Sequence, residues 1–325
     1  MLVPHPAWAQ VWVPQSSGTS VSLRGISAVS PNVAWASGAK GSYLRTRDGG
    51  ASWEFRTMPG AADLDFRDVE GFDDRTAILL SAGPGAESRI YRTKDGGASW
   101  ALVITNTDPK GFWDAMAFWD SSHGIIVGDP VDGHFAILTT SDGGFSWQRE
   151  KGPAGYKDEG AFAASGSCIT THGAHEVWFG TGGSQGGRVF HSTDGGKTWS
   201  VSKTPLRTGT TSGVFSLAFA DSLHGIAAGG DYKMEADSTG TLAVTKDGGK
   251  TWTAQSAPSG FRSAVAYLPE MKMWISVGMT GSDVSTDGGM TWRAFGPGFH
   301  AISFVGGAGW AVGPSGAIAK FRLME

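Results

Sequence analysis

Ser192-Thr193-Asp194-Gly195-Gly196-Lys197-Thr198-Trp199 is one of six copies of a single eight-residue pattern in this chain. Every copy reads Ser/Thr, any residue, Asp, Gly, Gly, any residue, Ser/Thr, Trp. The Asp-Gly pair favours a tight turn, because glycine adopts positive φ freely and the Asp side chain accepts hydrogen bonds from nearby backbone N–H groups. We therefore expect each copy to join two antiparallel strands, with its Trp packed into the core. The other copies are Thr46–Trp53, Thr93–Trp100, Thr140–Trp147, Thr245–Trp252 and Ser285–Trp292.

This pattern resembles the Asp-box, or BNR repeat, which occurs in sialidases, in some other glycosidases and in propellers that are not enzymes. The aspartates recur at intervals of roughly 40 to 53 residues, a period that suits a four-stranded propeller blade. Because the motif defines an architecture rather than a reaction, we interpret its aspartates as structural turn residues. They are Asp48, Asp95, Asp142, Asp194, Asp247 and Asp287.

A second pattern, an apolar run that ends in glycine, occurs seven times, from Val33–Gly38 to Gly309–Gly313. Seven such strands predict an all-β, seven-bladed β-propeller of four-stranded antiparallel blades, a single domain over residues 1–325. The last blade lacks an Asp-box and is one strand short. We expect Trp8–Pro14 to supply that strand, since it has the Trp-to-Pro spacing of the outer strands and closing the ring removes an exposed edge.

A third pattern marks the innermost strand of each blade, including Leu23–Ile26, Phe66–Val69 and, in a looser form, Gly160–Ala164. Blade geometry places the Asp-box turns on one face of the ring and the start of every innermost strand on the other. Three irregular loops also belong to that second face, one at Asp129, one at Thr181–Gly187 and one at Asp231. Irregular insertions on one face of a repeat protein are a common place for binding.

Several side chains are expected at the mouth of the central channel on this irregular face. The repeated pattern predicts that five first-strand residues are equivalent: Arg24, Arg67, Arg262, His300 and Trp113. Arginines favour carboxylates or phosphates of a partner, because guanidinium binds such groups bidentately. The alternative is that each arginine pairs with an acid of this chain, such as Asp68, Asp114 or Glu159. The candidate binding residues are Arg24, Arg67, Trp113, Asp114, Asp129, Asp231, Arg262 and His300.

The composition and the N-terminal sequence limit the classes of partner and the location that we expect for this protein. The formal net charge of −4 argues against a nucleic-acid partner, and no apolar run is long enough for membrane insertion. Cys168 is the single cysteine and is expected to be buried and inert. Ala7-Trp8-Ala9 has the small-x-small form of a signal-peptidase site, so residues 1–9 are either the remnant of a signal peptide or an ordinary segment. The first reading implies a periplasmic or secreted protein, which we expect to be a monomer.

The combined patterns of residues 23–53 resemble the photosystem II stability/assembly factor family along essentially the whole chain. That resemblance implies a non-catalytic propeller, lumenal or periplasmic in photosynthetic organisms, that binds a membrane-protein segment through an arginine patch. Arg24, Arg67 and Arg262 are the candidates for this patch. The segments Phe112–Asp114, Gly128–Pro130 and Ala161–Ser165 look more like those of the relatives in heterotrophic bacteria.

Enzymatic and metal-binding alternatives are weaker. A sialidase-like glycoside hydrolase would share the Asp-boxes and an arginine clamp, but sialidases begin with a Phe-Arg-Ile-Pro motif that is absent from this chain, and Tyr267 has no evident Glu partner. A hydrolase that uses Asp114 and Asp129 needs a carboxylate separation that sequence does not define. Asp129 with Asp132, or Asp231 with Glu235 and Asp237, offers few of the oxygens that calcium needs. We therefore expect no cofactor and no metal.

Overall fold

The computed structural model describes residues 9–324, which form 29 β-strands and three short 3-10 helices at Gly85–Glu87, Pro269–Met271 and Pro314–Gly316. The strands form seven antiparallel sheets, and consecutive sheets are the blades of a ring around a central channel. The predicted seven-bladed β-propeller is therefore confirmed. Residues 1–8, which carry most of the expected signal-peptide remnant, lie outside the described part of the chain.

Each blade runs outward from its first strand, and the blades follow one another in chain order. The first four blades consist of β2 (Leu23–Ala28), β3 (Ala34–Gly38), β4 (Ser42–Thr46) and β5 (Glu54–Thr57); β6 (Phe66–Gly71), β7 (Ala77–Ser81), β8 (Arg89–Thr93) and β9 (Ala101–Thr105); β10 (Trp113–Phe118), β11 (Gly124–Val131), β12 (His134–Thr140) and β13 (Gln148–Glu150); and β14 (Ile169–His172), β15 (Glu176–Gly180), β17 (Arg188–Ser192) and β18 (Ser200–Lys203). Blades 5 to 7 consist of β19 (Gly209–Phe219), β20 (Gly225–Asp231), β21 (Leu242–Thr245) and β22 (Thr253–Gln255), with the two-residue strand β16 (Gly182–Gly183) added to β19; β23 (Ala264–Leu268), β24 (Met273–Gly278), β25 (Gly281–Ser285) and β26 (Arg293–Gly296); and β27 (Ala301–Val305), β28 (Ala308–Val312), β29 (Ile318–Met324) and β1 (Ala9–Gln15).

The two ends of the described chain close the ring, as predicted. Strand β1 pairs antiparallel with β29, with Trp12 opposite Phe321 and Gln15 opposite Ile318. Trp12 is buried among Phe299, Phe321 and Phe295, and its indole N–H donates to Ser282 of blade 6 at 3.0 Å. Trp8, the first residue of the predicted closing strand, lies outside the described residues.

The hydrophobic core consists of seven clusters, each shared by two neighbouring blades. The Asp-box tryptophans pack into these clusters between their own blade and the preceding one. Trp53 of blade 1, for example, meets Trp310 of blade 7 edge to face, with ring centroids 6.5 Å apart. In blade 7, Trp12 takes the place of the missing Asp-box tryptophan between blades 6 and 7. Burial of such side chains contributes roughly 1.5–3 kcal/mol each, so the same contacts that build each blade also hold the ring together.

The Asp-boxes form the predicted turns between the third and fourth strands. In the first box, Asp48 accepts hydrogen bonds from Thr46 Oγ1 at 2.9 Å, Ser52 N at 2.9 Å and Ser52 Oγ at 2.6 Å. Both glycines of every box have positive φ. The hydrogen bonds from Ser52 lower the pKa of Asp48 to about 2, and the other boxes repeat the geometry. The Asp-box carboxylates therefore accept their hydrogen bonds within their own turns.

Blade 4 differs from its sequence-based prediction. The segment around Gly160–Ala164 is not its innermost strand, which is β14 instead, starting at Ile169. Gly160–Ser167 is an irregular connector, and Cys168 at its end is fully buried, as expected. None of the three short helices in residues 9–324 has the length or apolar character to span a bilayer.

Candidate functional site

A cavity of about 580 Å³ opens at the mouth of the central channel, on the face opposite the Asp-box turns. Its wall consists of the starts of innermost strands, the adjoining loops of blades 5 and 6, and part of the connector Gly160–Ser167. Three sectors follow one another around the ring. We call them the basic sector on blades 7, 1 and 2 (His300, Arg24, Arg67), the carboxyl sector on blade 3 (Asp114, Asp129), and the aromatic sector on blades 5 and 6 with the connector (Phe215, Tyr232, Phe261, Phe162).

A β-bulge at the start of the innermost strand explains why these side chains face the cavity. In β2, Leu23 pairs with Gly38 and Gly25 with Ser37, which leaves Arg24 as an extra residue outside the ladder. The same bulge leaves Arg67, Asp114 and Phe215 unpaired in their own blades. A bulge turns the extra residue away from the regular alternation of the strand. Four blades therefore present an arginine, a carboxylate or an aromatic side chain at one repeated position.

The structural register corrects the predicted positions of two candidate residues. A Cβ added to Gly38 would lie 2.3 Å from the carbonyl oxygen of Ser22, and one added to Gly278 would lie 2.0 Å from that of Phe261. Ser22 and Phe261 are therefore equivalent, so Arg262 corresponds to the core residue Leu23 and not to Arg24. Ser263 takes the place at the cavity wall in blade 6.

The same shift applies in blade 3, where Trp113 corresponds to Leu23. A Cβ on Gly128 would lie 2.3 Å from the carbonyl oxygen of Phe112, in parallel with Gly38 and Ser22. Trp113 is accordingly buried in the core between blades 2 and 3. Its neighbours Phe112 and Asp114 line the cavity in its place.

Arg262 lies in the interior and does not reach the mouth of the channel. Its guanidinium donates to Gly260 O at 3.0 Å and to Thr280 Oγ1 at 2.7 Å, and it forms an ion pair with Asp283 at 3.3 Å. Burial lowers the pKa of Arg262 to about 10. The expected cluster of three arginines is thus reduced to two, because the third is fully engaged below the surface.

Arg24 and Arg67 differ in their partners. Arg67 Nε lies 2.5 Å from Asp65 Oδ2, and its Nη1 donates to Ala163 O at 2.8 Å. Arg24 forms no ion pair with any residue between 9 and 324, and its buried Nε has no hydrogen-bond partner there. Burial lowers the pKa of Arg24, and the nearby Arg67 lowers it further, but a guanidinium stays charged at neutral pH. Of the acids weighed as internal partners, Glu159 binds Arg188 instead.

His300 completes the basic sector as a neutral ring. Its Nδ1 donates to the carbonyl oxygen of Leu23 at 2.9 Å, which fixes its orientation beside Arg24. Burial lowers the pKa of His300, and the two arginines lower it further. The imidazole therefore adds a hydrogen-bonding surface at neutral pH and no third positive charge.

The carboxyl sector holds two acids in a shared environment. Asp114 is 1% exposed and its Oδ2 has no hydrogen-bond partner among the described residues. Burial raises the pKa of Asp114 well above its usual range, and the charge of Asp129 raises it further. Burial also raises the pKa of Asp129 to about 6, although Asp129 accepts a hydrogen bond from Ala161 N at 3.0 Å. These two acids therefore disfavour the binding of a further negatively charged group in this part of the cavity.

The connector Gly160–Ser167 lines the cavity with residues 161–164 and contacts blades on opposite sides of the ring. Besides its contacts with Arg67 and Asp129, Ser165 Oγ donates to the carbonyl oxygen of Ser263 at 2.8 Å. Ser167 Oγ lies 2.7 Å from Ser216 Oγ of blade 5. The connector thus links blades 2, 3, 5 and 6. Its run of small residues carried no sequence signal for this role.

The loop residue Asp231 lies beside the cavity without lining it. Its carboxylate accepts hydrogen bonds from Thr211 Oγ1 at 2.8 Å and from Lys233 N at 2.9 Å, which shapes the loop that carries Tyr232 and Glu235 into the wall. Asp237 of the same loop pairs with Arg207. Between residues 9 and 324, no group of three or more His, Cys, Asp and Glu side chains is placed to hold a metal ion.

The fold and the cavity define the chain as a seven-bladed Asp-box β-propeller with a polar and aromatic cavity at one end of its channel. The family model for the BNR/Asp-box repeat matches residues 190–201. A comparison of the sequence with curated proteins finds no match.

Two solved structures share the fold along nearly the whole chain. The structure described as YCF48 bound to D1 peptide has a TM-score of 0.68 and 18% identity, and the alignment covers 98% of this chain and 98% of that one. YCF48 from Cyanidioschyzon merolae has a TM-score of 0.67 and 20% identity, with 97% and 99% covered. At these identities the likeness shows a shared fold.

Proposed function

We propose that this chain is a non-catalytic binding protein, similar to a photosystem II assembly factor, that engages a segment of a protein partner in the cavity. The observation that carries the proposal is Arg24, a guanidinium at the cavity wall with no ion pair in the described chain. A carboxylate of the partner would satisfy it bidentately, with Arg67 beside it. The solved YCF48 complex with a D1 peptide supports a polypeptide ligand for this fold. The division between photosynthetic and heterotrophic relatives stays a prediction.

The two faces of the ring support this choice of surface. The six Asp-box carboxylates are occupied by their own turns, and the boxes repeat one geometry, so that face offers little that differs between blades. The cavity face presents arginine, carboxylate and aromatic side chains at a repeated position. Such variation on a regular scaffold is what a specific site requires.

Affinity capture from membrane and soluble fractions of the native host tests the proposal. The bait is the full chain, either unchanged or carrying Arg24→Ala with Arg67→Ala. A matched control carries Arg47→Ala with Arg56→Ala, which removes the same charge from exposed positions of blade 1. We expect the unchanged chain and the control to recover the same partner and the cavity variant to lose it. Recovery of the same partner by all three baits would refute the proposal.

One observation favours a second function. Asp114 and Asp129 share the cavity, and burial raises the pKa of both carboxyl groups. A hydrolase with a carboxylic acid pair requires one protonated acid and one ionised carboxylate, and a raised pKa suits the acid. Against it, Asp114 is almost inaccessible, and two arginines rather than three reach the wall. Tyr267 packs against Trp274 in blade 6 and does not line the cavity. Release of sugar from a sialoside or glucan panel, abolished by Asp114→Asn, would establish the hydrolase instead.

A further inference from the structure

The aromatic sector is built from three separate parts of the chain that meet at one wall. The ring of Phe162, on the connector, stacks on Phe215 with centroids 3.7 Å apart and planes inclined by 13°. Phe261, which precedes blade 6, meets Phe215 edge to face at 4.8 Å. Tyr232, on the loop after β20, completes the group at 6.1 Å from Phe215. Phe215 and Phe261 are themselves buried, so the wall has a fixed base.

The outer edge of this sector is apolar and open to solvent. Tyr232 is 45% exposed and Met234 is 47% exposed, and both lie on one short loop. Met279 of blade 6 also lines the cavity. The ion pair between Arg207 and Asp237 and the turn at Asp231 stabilise the conformation of this loop. Exposed apolar side chains on a braced loop are typical of binding surfaces.

The sectors face one another across the mouth. Blade order places Arg67 on blade 2 across the ring from Phe215 on blade 5 and Phe261 on blade 6. An occupant that reaches both walls must present an anionic group at one end and an apolar group at the other. The carboxyl sector and Glu235 disfavour a polyanion, because a second negative charge would meet acids of this chain.

We propose that the cavity recognises a peptide segment that carries a carboxylate together with an apolar side chain. The carboxylate binds Arg24 and Arg67, and the apolar side chain packs on Tyr232, Phe162 and Met279. This inference rests on the proposed function and adds the specificity: the basic sector selects the charge, and the aromatic sector selects the neighbouring side chain. The carboxylate comes from an acidic side chain or from the end of a polypeptide.

Fluorescence anisotropy with synthetic octapeptides on the full chain tests this inference. The first pair of peptides contains one Glu and either Phe or Gly three residues away, and has an amidated end. The second pair replaces Glu by Gln and has a free carboxyl end, which separates the two sources of the carboxylate. A third pair contains Gln and an amidated end, and so lacks any carboxylate.

For at least one source of carboxylate, we expect the peptide with Phe to bind at least ten times more tightly than its Gly partner. Tyr232→Ser should remove most of that ratio by weakening the Phe peptide. Phe145→Ser, at a similarly exposed aromatic residue on the Asp-box face, should change neither. For that source of carboxylate, Arg24→Ala with Arg67→Ala should weaken both peptides to the level of their counterparts in the third pair.

Equal binding of the Phe and Gly peptides, with loss in the arginine variant, would overturn the aromatic specificity and leave the proposed function intact. A Phe preference that Tyr232→Ser does not alter would also overturn it. Binding of the carboxylate peptides that the arginine variant does not weaken, or no binding of any peptide at millimolar concentration, would overturn the proposed function and this inference together.

Discussion

Arg262 and Asp283 form an ion pair inside blade 6, with Nη1 3.3 Å from Oδ2 and both side chains fully shielded from solvent. The structural register places Arg262 where blade 1 has Leu23, and Asp283 where blade 1 has Leu44. An arginine and an aspartate thus occupy two core positions of the repeat. Asp283 Oδ1 also accepts a hydrogen bond from Ser259 Oγ at 2.7 Å, so the buried charges are connected to the segment before blade 6.

Removal of one member of this pair should destabilise the fold strongly. We expect Arg262→Ala to lower the free energy of unfolding by about 3–5 kcal/mol, because it leaves Asp283 buried without its partner. Arg262→Leu with Asp283→Leu, which copies blade 1, should recover most of that loss. Urea unfolding of the three proteins measures both effects. A double variant less stable than Arg262→Ala would show that the pair does not occupy equivalent core positions.

Ring closure depends on Trp12, which fills the core between blades 6 and 7. Trp12→Ala should lower the free energy of unfolding by about 3–5 kcal/mol, as expected for loss of a buried aromatic side chain. Its neighbour Val13 is 44% exposed, so Val13→Ala on the same strand is the matched control and should change stability little. Equal midpoints for Trp12→Ala and the unchanged chain in urea would contradict closure through β1.

The Asp-boxes should contribute to stability and not to binding. Asp194 accepts hydrogen bonds from Ser192 Oγ, Thr198 N and Thr198 Oγ1, all within its own turn. Asp194→Ala should therefore lower the free energy of unfolding by about 1 kcal/mol and leave partner capture unchanged. Lys197→Ala, at an exposed position of the same turn, should be neutral in both assays. Loss of capture by a stable Asp194→Ala protein would give this box a role in binding.

Two acids on β6 should make stability depend on pH. Burial and, to a lesser extent, the nearby Asp68 raise the pKa of Glu70 to about 8, and burial raises the pKa of Asp68 to about 7. The folded chain therefore holds protons that the unfolded chain releases near pH 4, so stability is full at low pH and falls as pH rises towards 8. Glu70→Gln should flatten the decrease in melting temperature between pH 6 and pH 8. A slope identical to that of the unchanged chain would contradict this assignment.

The sequence predicted the ring, and the reason is that each blade repeats its turn and its core. Asp-Gly-Gly turns act locally, and the apolar runs occur once in every blade. The cavity wall was harder to predict, because it depends on bulges that shift the register by one residue. Leu23-Arg24 and Phe261-Arg262 look equivalent in sequence. In the structure, Arg24 faces the cavity and Arg262 replaces a core residue.

The role of the connector Gly160–Ser167 was also not predictable from local sequence patterns. Gly160–Ala164 looks like a weak copy of an innermost strand, but the connector it belongs to contacts side chains and backbone of four blades. Those partners are distant in sequence, so no local pattern indicates them. Phe162 and Tyr232 reach the cavity through this connector and an irregular loop.

The central claim is that the partner binds at the channel mouth and not on the Asp-box face. Site-specific photo-crosslinking in the native host tests it directly, with p-benzoylphenylalanine placed either at Tyr232 or at Phe145, which is 55% exposed on the Asp-box face. We predict a crosslinked partner from position 232 that disappears when Arg24→Ala and Arg67→Ala are added, and none from position 145. A partner crosslinked from position 145 and not from position 232, or a crosslink at 232 that the arginine changes leave intact, would contradict the account.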